Sequence, residues 1–332
     1  MVIPSGEMAA VRAVKAGGPD VLIPVTAPVP VPSENQVLVR LYAIGVNYAD
    51  VMCRRSVHPG MPGPPIVPGC EGSGVVMSCG KGVTTHKAGN RVGVYSPWGG
   101  TYAEWVVVPE NYALPLPDAM SFEEAAAFTH VYLTAFHALR TLGRATAGDW
   151  VVITAAAGGL GTALLQLCLH WEMRAIAGVG SSAKVQMLEQ MGVAHFLNYS
   201  SQSLSSFVKK ATDGRGADVI VETVGGHVFS EALESLAPLG TLVMAGIASG
   251  EEVKLDPLRL LSKSATFAAL NLSVLFVHTP DLIRSSWTDL LAIYQTGTIR
   301  PVIGYRFALQ DAAGAHRLME SRQSMGKILL QP

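Results

Sequence analysis

Two patterns of apolar and polar positions divide the chain. In its first third, short apolar segments alternate with turn residues, and these segments have the length and the β-branched content that are typical of strands. The predicted strands there are residues 37–41, 74–77, 91–95 and 105–108. A long loop before Gly69 is indicated by prolines at positions 59, 62, 64, 65 and 68. We therefore predict a small, mostly β and barrel-like domain in this part of the chain.

From about residue 121 the pattern changes to apolar strands that alternate with helix-length segments. Ser121 is followed at the third position by Glu124, which is the pattern of a capping box at a helix start. Apolar strands joined by helices are typical of a parallel sheet covered on both faces, so we predict an α/β protein with a doubly wound domain. The strands predicted for this domain are 150–154, 174–179, 194–198, 217–223 and 241–246, and its predicted helices are 160–171, 183–191, 204–212 and 228–236. The final section of the chain, from about residue 301, is predicted to contain strand 303–308, helix 310–321 and strand 327–330.

Length and composition limit the kinds of protein that this chain can be. A chain of 332 residues suggests two domains. With 49% hydrophobic and 15% charged residues, it is expected to bury a large core, which excludes an intrinsically disordered protein. The formal net charge of −1 offers no bulk charge with which to hold a nucleic acid or a membrane surface, and we expect neither as a partner.

The cysteines and the start of the chain bear on location. The cysteines contain no Cys-x-x-Cys pair, and free thiols suit a reducing compartment. Residues 1–6 have neither a basic nor an apolar segment of the kind found in secretory signals. Residues 150–169 carry no formal charge and reach membrane-spanning length, but three glycines interrupt them, which favours a strand, a turn and a helix. We therefore expect a soluble, cytoplasmic protein.

The candidate chemistry begins with a glycine loop at residues 155–161, Ala-Ala-Ala-Gly-Gly-Leu-Gly. The loop follows the predicted strand 150–154 and opens the predicted helix 160–171, which is the context that a dinucleotide-binding loop needs. A turn without side chains lets the backbone approach a pyrophosphate, and the helix start offers unpaired N–H groups. The alternative is a tight turn that needs glycine only for its backbone angles. The repeated strand–helix units favour dinucleotide binding.

The end of the next predicted strand bears on which dinucleotide binds. A site for NAD usually offers Asp or Glu there, because a carboxylate accepts hydrogen bonds from the ribose hydroxyls. Residues 178–184 contain no acid, but they contain Ser181, Ser182 and Lys184. A 2′-phosphate needs donors and positive charge, so these residues favour NADPH. Alternatively, Ser181 and Ser182 cap the predicted helix 183–191 and Lys184 is solvated.

Several ordered motifs extend this hypothesis beyond a single loop. They are Ala-Ile-Gly-Val-Asn-Tyr-Ala-Asp at 43–50, Pro-Gly-Cys-Glu-Gly-Ser-Gly at 68–74, the glycine loop, Val-Glu-Thr-Val-Gly-Gly at 221–226 and Gly-Lys-Ile at 326–328. In this order they resemble the quinone oxidoreductase (ζ-crystallin-like) branch of the medium-chain dehydrogenase/reductase superfamily. The resemblance implies a GroES-like catalytic domain at residues 1–127 and 268–332, a Rossmann domain at 128–267, and a homodimer joined along the Rossmann sheets.

The resemblance also implies which residues contact NADPH. Ser181, Lys184, Tyr199 and Arg322 are expected around the 2′-phosphate, whereas Asn47 and Thr134 are expected near the nicotinamide and the substrate. The wall beside the nicotinamide ring is expected at residues 244–248 and near Leu270. The full set of expected cofactor residues is Asn47, Thr134, Ala157, Gly158, Gly159, Leu160, Gly180, Ser181, Lys184, Tyr199, Val224, Gly246, Ala248, Leu270 and Arg322.

Zinc alcohol dehydrogenases belong to the same superfamily, and their catalytic metal has three protein ligands. The corresponding positions here are Asn47, Cys70 and His130. Asn47 is a poor zinc ligand. Cys70 and His130 could bind a metal, or they could be a packed thiol and an ordinary histidine. The four-cysteine lobe that holds structural zinc is absent from the sequence, and we expect no metal.

The expected chemistry without a metal is hydride transfer from NADPH to a small hydrophobic quinone or enone, with hydrogen-bond donors stabilising the carbonyl oxygen. The candidate donors are Asn47 and Thr134, followed by Tyr48 and His58, although His58 could equally be a solvent-exposed loop residue. Two alternatives stay open, namely reduction of the C=C bond of 2-alkenals or enoyl thioesters, and a non-catalytic, crystallin-like NADPH-binding role. The sequence offers no Ser-His-Asp order for hydrolysis and no Tyr-x-x-x-Lys pair of a short-chain reductase.

Overall fold

The computed structural model describes residues 6–332. Residues 1–5 lie outside the described part, and with them most of the segment on which we based the expectation of no secretory signal. The chain forms two compact units. The first comprises the chain up to His130 together with Leu275–Trp287 and Pro301–Pro332, and the second comprises Val131–Val274 and Thr288–Arg300. Within the described residues, no helix combines the length and the apolar character that crossing a membrane requires.

The strands and helices are numbered in chain order. The strands are β1 (Glu7–Ala13), β2 (Leu22–Pro28), β3 (Gln36–Val46), β4 (Glu71–Cys79), β5 (Arg91–Tyr95), β6 (Trp105–Pro109), β7 (Ala113–Pro115), β8 (Trp150–Ile153), β9 (Arg174–Val179), β10 (His195–Asn198), β11 (Ala217–Glu222), β12 (Leu236–Met244), β13 (Thr266–Ala269), β14 (Ile303–Ala308) and β15 (Lys327–Gln331). The α-helices are α1 (Tyr48–Arg54), α2 (Phe122–Ala126), α3 (Thr129–Phe136), α4 (Gly159–His170), α5 (Val185–Gln190), α6 (Leu204–Ala211), α7 (Gly226–Ser235), α8 (Pro257–Leu261), α9 (Leu272–His278), α10 (Pro280–Gln295) and α11 (Ala312–Glu320).

A mostly antiparallel sheet organises the first unit. Its strand order is β14-β15-β3-β4-β5-β7, and β6 also pairs with β3. β15 joins β3 antiparallel, with Ile328 opposite Val46. Because of this register, Lys327 at the start of β15 lies beside Asn47, which follows the end of β3. The strands predicted in the first third are confirmed as β3 to β6.

The second unit is built on a parallel sheet with the order β10-β9-β8-β11-β12-β13. Counted from β8, this order is 3-2-1-4-5-6, which is the Rossmann arrangement. Val152, Ile220 and Leu242 on the strands are fully buried, and Val208 of α6 and Leu233 of α7 pack into the same core. The predicted α/β fold class with a doubly wound sheet is therefore confirmed.

Some elements differ from the sequence-based expectation. β13 was not predicted, because its positions are half-buried or exposed and give no apolar pattern. The helix predicted from Ser121 is confirmed as α2, since Ser121 N donates to Glu124 Oε2 (2.9 Å) and Glu124 N donates to Ser121 Oγ (3.2 Å). The helix predicted at 183–191 starts as a 3₁₀ turn, Ser182–Lys184, before α5.

The two compact units also differ from the expected domain limits of 1–127, 128–267 and 268–332. Residues 128–130 belong to the first unit, whereas 268–274 and 288–300 belong to the second. Backbone and side-chain hydrogen bonds explain the difference. Leu270 N donates to Met244 O (2.9 Å) and so continues the pairing of β13 with β12. Gln166 on α4 is joined to the backbone of Arg300 by two hydrogen bonds of 2.8 Å.

Candidate active site

One edge of the parallel sheet collects loops that carry predicted cofactor residues. Parallel strands end at the same edge, and in this arrangement a ligand binds beyond the carboxyl ends of the strands. Thr134 belongs to the same unit and is buried on α3. The predicted cofactor residues that follow β8 to β13 at this edge are Ala157, Gly158, Gly159, Leu160, Gly180, Ser181, Lys184, Tyr199, Val224, Gly246, Ala248 and Leu270.

The glycine loop brings the start of α4 close to the end of β8. Ala155 adopts a left-handed conformation (φ 49°), and Gly158 N donates to Ala155 O (3.0 Å). A Cβ atom added at Gly161 would lie 2.5 Å from Ala155 O and from the Ala156 backbone, so the helix packs against the loop at a distance that only glycine allows. The first-turn N–H groups of α4 have no partner within the helix. This arrangement can bind a phosphate group.

The end of β9 offers a hydroxyl group and a cation. The Ser181 side chain forms no capping hydrogen bond to the turn that follows it, which disfavours the alternative in which it serves as a cap. Ser182 Oγ accepts a hydrogen bond from Asn198 Nδ2 (3.3 Å). Burial lowers the pKa of Lys184, and within residues 6–332 no carboxylate forms an ion pair with this ammonium group. The end of β9 can therefore supply positive charge to an anionic ligand.

Tyr199 packs its ring against the glycines at the end of β9. A Cβ atom added at Gly178 would lie 3.0 Å from Tyr199 Cδ1, and one added at Gly180 would lie 3.3 Å from Tyr199 Cε2. Tyr199 N donates to Val179 O (3.0 Å), which holds the residue against this strand. Tyr199 is partly exposed, and the preceding residue, Asn198, donates a hydrogen bond to Ser182 in the turn that contains Lys184.

A buried carboxylate supports the loops at the centre of the sheet. Glu222 is fully buried at the end of β11, and it accepts hydrogen bonds from Val224 N (2.7 Å) and Gly225 N (3.0 Å). Thr154 Oγ1 donates to Glu222 Oε1 (3.3 Å) and accepts from Thr223 N (2.9 Å), which joins the loops after β8 and β11. Burial raises the pKa of Glu222, while the backbone donors oppose this effect. Both loops are therefore held in one conformation.

In the first unit, Asn47 lies immediately before α1 with its side chain buried. Its Oδ1 accepts a hydrogen bond from Lys327 Nζ (2.6 Å), and its Nδ2 donates to Glu71 Oε1 (2.8 Å). These partners determine the orientation of the amide, because an ammonium group only donates and a carboxylate only accepts. The second Nδ2–H group is directed toward Cys70 Sγ (3.3 Å).

Lys327 and Glu71 form a buried ion pair beside Asn47. The exposed fractions of their side chains are 3% and 0%, so the two charges depend on each other and on their hydrogen bonds. His130 N donates to Glu71 Oε2 (2.8 Å), which satisfies the second carboxylate oxygen. The group consists of an ammonium, a carboxylate and an amide, and all three side chains are hydrogen-bonded to one another.

Cys70 and His130 lie next to each other, with 3.7 Å between Cys70 Sγ and His130 Nδ1. Burial raises the pKa of the Cys70 thiol well above its ordinary value, and burial lowers the pKa of His130 to about 4. Both side chains are therefore neutral at pH 7. Within the described part of the chain, no group of three His, Cys, Asp or Glu side chains is arranged to hold a metal ion.

The other predicted residues of the first unit lie in different surroundings. His58 Nδ1 accepts hydrogen bonds from Gly60 N (3.0 Å) and Met61 N (2.9 Å), so its neutral ring carries the proton on Nε2. Burial lowers the pKa of His58. Tyr48 is the partly exposed first residue of α1. Arg322 is exposed after α11, and in residues 6–332 no hydrogen bond of its side chain ties it to these groups.

Comparison with known proteins agrees with this architecture. Residues 33–118 match the alcohol dehydrogenase GroES-like domain family, and residues 159–292 match the zinc-binding dehydrogenase family. A quinone oxidoreductase of Pseudomonas aeruginosa is 32% identical over 95% of this chain and 97% of its own length. The crystal structure of Escherichia coli quinone oxidoreductase complexed with NADPH is 30% identical and covers 98% of this chain and 100% of its own, with a TM-score of 0.92. The chain belongs to the quinone oxidoreductase branch of the medium-chain dehydrogenase/reductase superfamily.

Membership of the quinone oxidoreductase branch confirms the family that the motifs predicted. A synaptic vesicle membrane protein VAT-1 homolog of Rattus norvegicus is also similar, with 33% identity over 91% of this chain and 78% of its own length. The name of that relative states a location and no reaction. Quinone oxidoreductases and VAT-1 homologs thus share this architecture, and the choice of reaction depends on the residues of the site.

Three polar residues at this site were not predicted from the sequence. Glu71, Lys327 and Glu222 all occur in the motifs, but we assigned no role to them. A sequence signal was present for each, because a charged residue beside a run of strongly apolar positions must find a partner when it is buried. The partner itself was not visible, since Lys327 and Asn47 are 280 positions apart.

Proposed function

We propose that this chain is a zinc-independent reductase that uses NADPH to reduce a small hydrophobic quinone. The observation that carries the proposal is the end of β9, where Ser181 and Lys184 occur in a segment without acids. A carboxylate there would repel a 2′-phosphate, whereas a lysine attracts it. The relatives support the same assignment, because one is a quinone oxidoreductase and another is complexed with NADPH.

The residues present fit NADPH at both of its phosphate positions. The loop before α4 suits the pyrophosphate, since Gly161 allows the helix start to approach closely. Ser181, Lys184 and Tyr199 of the second unit suit the 2′-phosphate, and Arg322 of the first unit is a further proposed contact of the cofactor. NADPH supplies the hydride when it is bound. From the second unit, the proposed cofactor contacts also include Ala157, Gly158, Gly159, Leu160, Gly180, Thr134, Val224, Gly246, Ala248 and Leu270, and from the first unit they include Asn47.

The partners of Asn47 support the proposed zinc independence. A zinc site needs three protein ligands, and the position of one of them is taken by an amide whose oxygen and nitrogen are bonded to Lys327 and Glu71. The local cation is the ammonium of Lys327. Treatment with a chelator is therefore expected to leave the reductase activity unchanged. A loss of activity that added Zn²⁺ restores would contradict zinc independence.

The catalytic groups are hydrogen-bond donors. As hydride reaches the quinone, negative charge develops on a carbonyl oxygen, and a positioned N–H or O–H group stabilises it. In the first unit, the second Nδ2–H of Asn47 faces Cys70 Sγ (3.3 Å), a weak acceptor that a carbonyl oxygen would replace, and His58 carries its proton on Nε2. Tyr48 and Thr134 are the further candidates. The hydroquinone takes its proton readily, so positioning of the reactants contributes most of the rate.

An acceptor panel tests the proposal. NADPH oxidation would be measured with a quinone, a 2-alkenal and an enoyl thioester, and we expect the quinone to be reduced fastest. Reduction of the alkenal or thioester with an inert quinone would change the assignment to a C=C reductase. NADPH binding without turnover of any acceptor would favour a non-catalytic role, which the VAT-1 homolog makes worth testing. Absence of NADPH binding would overturn the proposal.

We also propose a cytoplasmic homodimer. β13 lies at the edge of the parallel sheet with its outer backbone groups available for pairing with a second copy. Leu258 and Leu261 of α8, in the same unit, have exposed fractions of 71% and 75%. Exposed apolar side chains and a free sheet edge each favour association. Light scattering should give twice the 35.0 kDa mass of one chain, and a mass of one chain would contradict the dimer.

A further inference from the structure

A chain of buried polar side chains connects α11 to the start of α1. Glu320 on α11 pairs with Arg54 on α1 through two hydrogen bonds of 3.0 and 2.8 Å. Arg54 Nη1 lies 3.5 Å from His316 Nδ1, and His316 Nε2 lies 2.8 Å from the Tyr102 hydroxyl. Tyr102 donates to Asp50 Oδ2 (3.1 Å), and the same carboxylate oxygen accepts from Asn47 N (2.8 Å). The chain therefore ends at the backbone of Asn47.

The direction of each hydrogen bond in this chain is determined by its members. A guanidinium group only donates, so His316 Nδ1 accepts from Arg54. The neutral imidazole then carries its proton on Nε2 and donates to the Tyr102 oxygen. The Tyr102 hydroxyl hydrogen is left for Asp50. Burial and the nearby charge of Arg54 lower the pKa of His316 to about 3, so this protonation state holds at neutral pH.

Burial limits the alternatives to this order, in which Asp50 Oδ1 and Arg54 Nε already have no hydrogen-bond partner among the described residues. Arg54, Tyr102, His316 and Asp50 each have an exposed fraction of 0%, so water cannot replace a lost partner. A buried donor or acceptor without a partner is costly, and the remaining groups shift to find one. Asp50 accepts the hydrogen bond of Asn47 N, so a shift of the Asp50 side chain would disturb the backbone of Asn47. Lys327 on β15, which follows α11 in the C-terminal part of the polypeptide, holds the Asn47 side chain by a separate hydrogen bond.

We propose that Tyr102 and His316 are positioning residues, which fix the start of α1 through Asp50 and so aim the Asn47 amide at the substrate. The inference rests on the proposed function insofar as Asn47 is a donor to the substrate. Among the described residues, neither forms a hydrogen bond with Asn47, and the sequence alone predicted no role for either. Tyr102 and His316 contribute to catalysis by keeping the Asn47 donor in position. A misplacement of such a group by about 1 Å costs on the order of a hundredfold in rate.

The test uses Tyr102→Phe, His316→Leu and His316→Gln. The glutamine amide can accept from Arg54 and donate to Tyr102, so His316→Gln preserves the chain, whereas the other two variants break it. Tyr112→Phe is the matched control, because Tyr112 is a buried tyrosine of the same unit that is not part of the chain. We expect kcat to fall about ten- to a hundredfold in the two breaking variants, with KM for NADPH unchanged, and to stay near wild type in the other two.

Backbone hydrogen exchange gives a readout that does not depend on turnover. Exchange over residues 45–52 should rise in Tyr102→Phe and His316→Leu while exchange over β5 stays at the wild-type level. A uniform rise across the first unit, or no rise at residues 45–52, would overturn the positioning role. Wild-type protein that reduces no acceptor would overturn the proposed function instead, and the exchange pattern would still decide whether the chain fixes the start of α1.

Discussion

Each polar atom of the Asn47 side chain is held by a partner from elsewhere in the first unit. Lys327 donates to its oxygen, Glu71 accepts from its nitrogen, and the two partners form an ion pair with each other. The Asn47 amide is therefore preorganised, and little of its orientation has to be established when a substrate binds. Preorganised donors stabilise developing charge without a cost of reorganisation at the moment of reaction.

Removal of Lys327 tests this arrangement. Lys327→Met would leave the Glu71 carboxylate buried without its cation, so we expect a loss of about 3–5 kcal/mol in the free energy of unfolding, measured with urea. The double variant Lys327→Met/Glu71→Gln should recover much of this loss, because it buries no unpaired charge. If the single variant is as stable as wild type, the buried ion pair does not exist in solution.

His316 gives a prediction for the pH dependence of stability. Its pKa is lowered to about 3 in the folded chain, so the stability that depends on its neutral form is present above its ordinary pKa of 6.5 and is lost as the pH falls below that value. Between pH 7 and pH 5, His316 gains a proton in the unfolded chain but not in the folded chain. This difference lowers the free energy of unfolding by about 2 kcal/mol.

The variant His316→Gln should therefore lose about 2 kcal/mol less stability than wild type between pH 7 and pH 5, measured by urea unfolding at each pH. The exposed His278 serves as a control, because His278→Gln should keep the wild-type dependence on pH. The same dependence in His316→Gln and wild type would show that His316 is not buried in its neutral form.

At the scale of elements, the contact between α4 and the loop after β8 is the feature on which cofactor binding depends. Gly161→Ala would place a Cβ atom 2.5 Å from backbone atoms, so the start of α4 has to move away from the loop. We expect NADPH affinity to fall at least about tenfold, measured by fluorescence titration. Gly18→Ala is the control, because no atom lies within 4 Å of its added Cβ. Unchanged affinity in Gly161→Ala would show that the loop does not hold the pyrophosphate.

The parallel sheet was predictable from the sequence because its strands are buried on both faces and read as continuous apolar runs. β9 has the predicted bounds, and so does β14, which belongs to the sheet of the first unit. β13 escaped prediction since an edge strand with half-exposed positions lacks that pattern. The partners of Asn47 escaped it for a different reason. Lys327 reaches Asn47 through the register of β15 on β3, and Glu71 reaches it through the register of β4 on β3. No local sequence pattern specifies such a register.

At the scale of the whole molecule, the chain comprises two units with different contributions. The second unit carries the loops at the carboxyl edge of the Rossmann sheet, and the first carries Asn47 with its network of buried charges. The motifs predicted the family and the fold, both of which are confirmed. The roles of the individual site residues stay predictions, because they depend on a bound cofactor and substrate.

The preference for NADPH over NADH, compared between wild type and Lys184→Glu, tests most directly whether the end of β9 binds a 2′-phosphate. Each charge-assisted contact contributes about 1.5–3 kcal/mol, so the variant should bind NADPH roughly ten- to a hundredfold more weakly, with little change for NADH. Lys210→Glu, an exposed change of the same charge on α6, should keep the wild-type preference. A Lys184→Glu variant that still prefers NADPH as strongly as wild type would contradict the assignment.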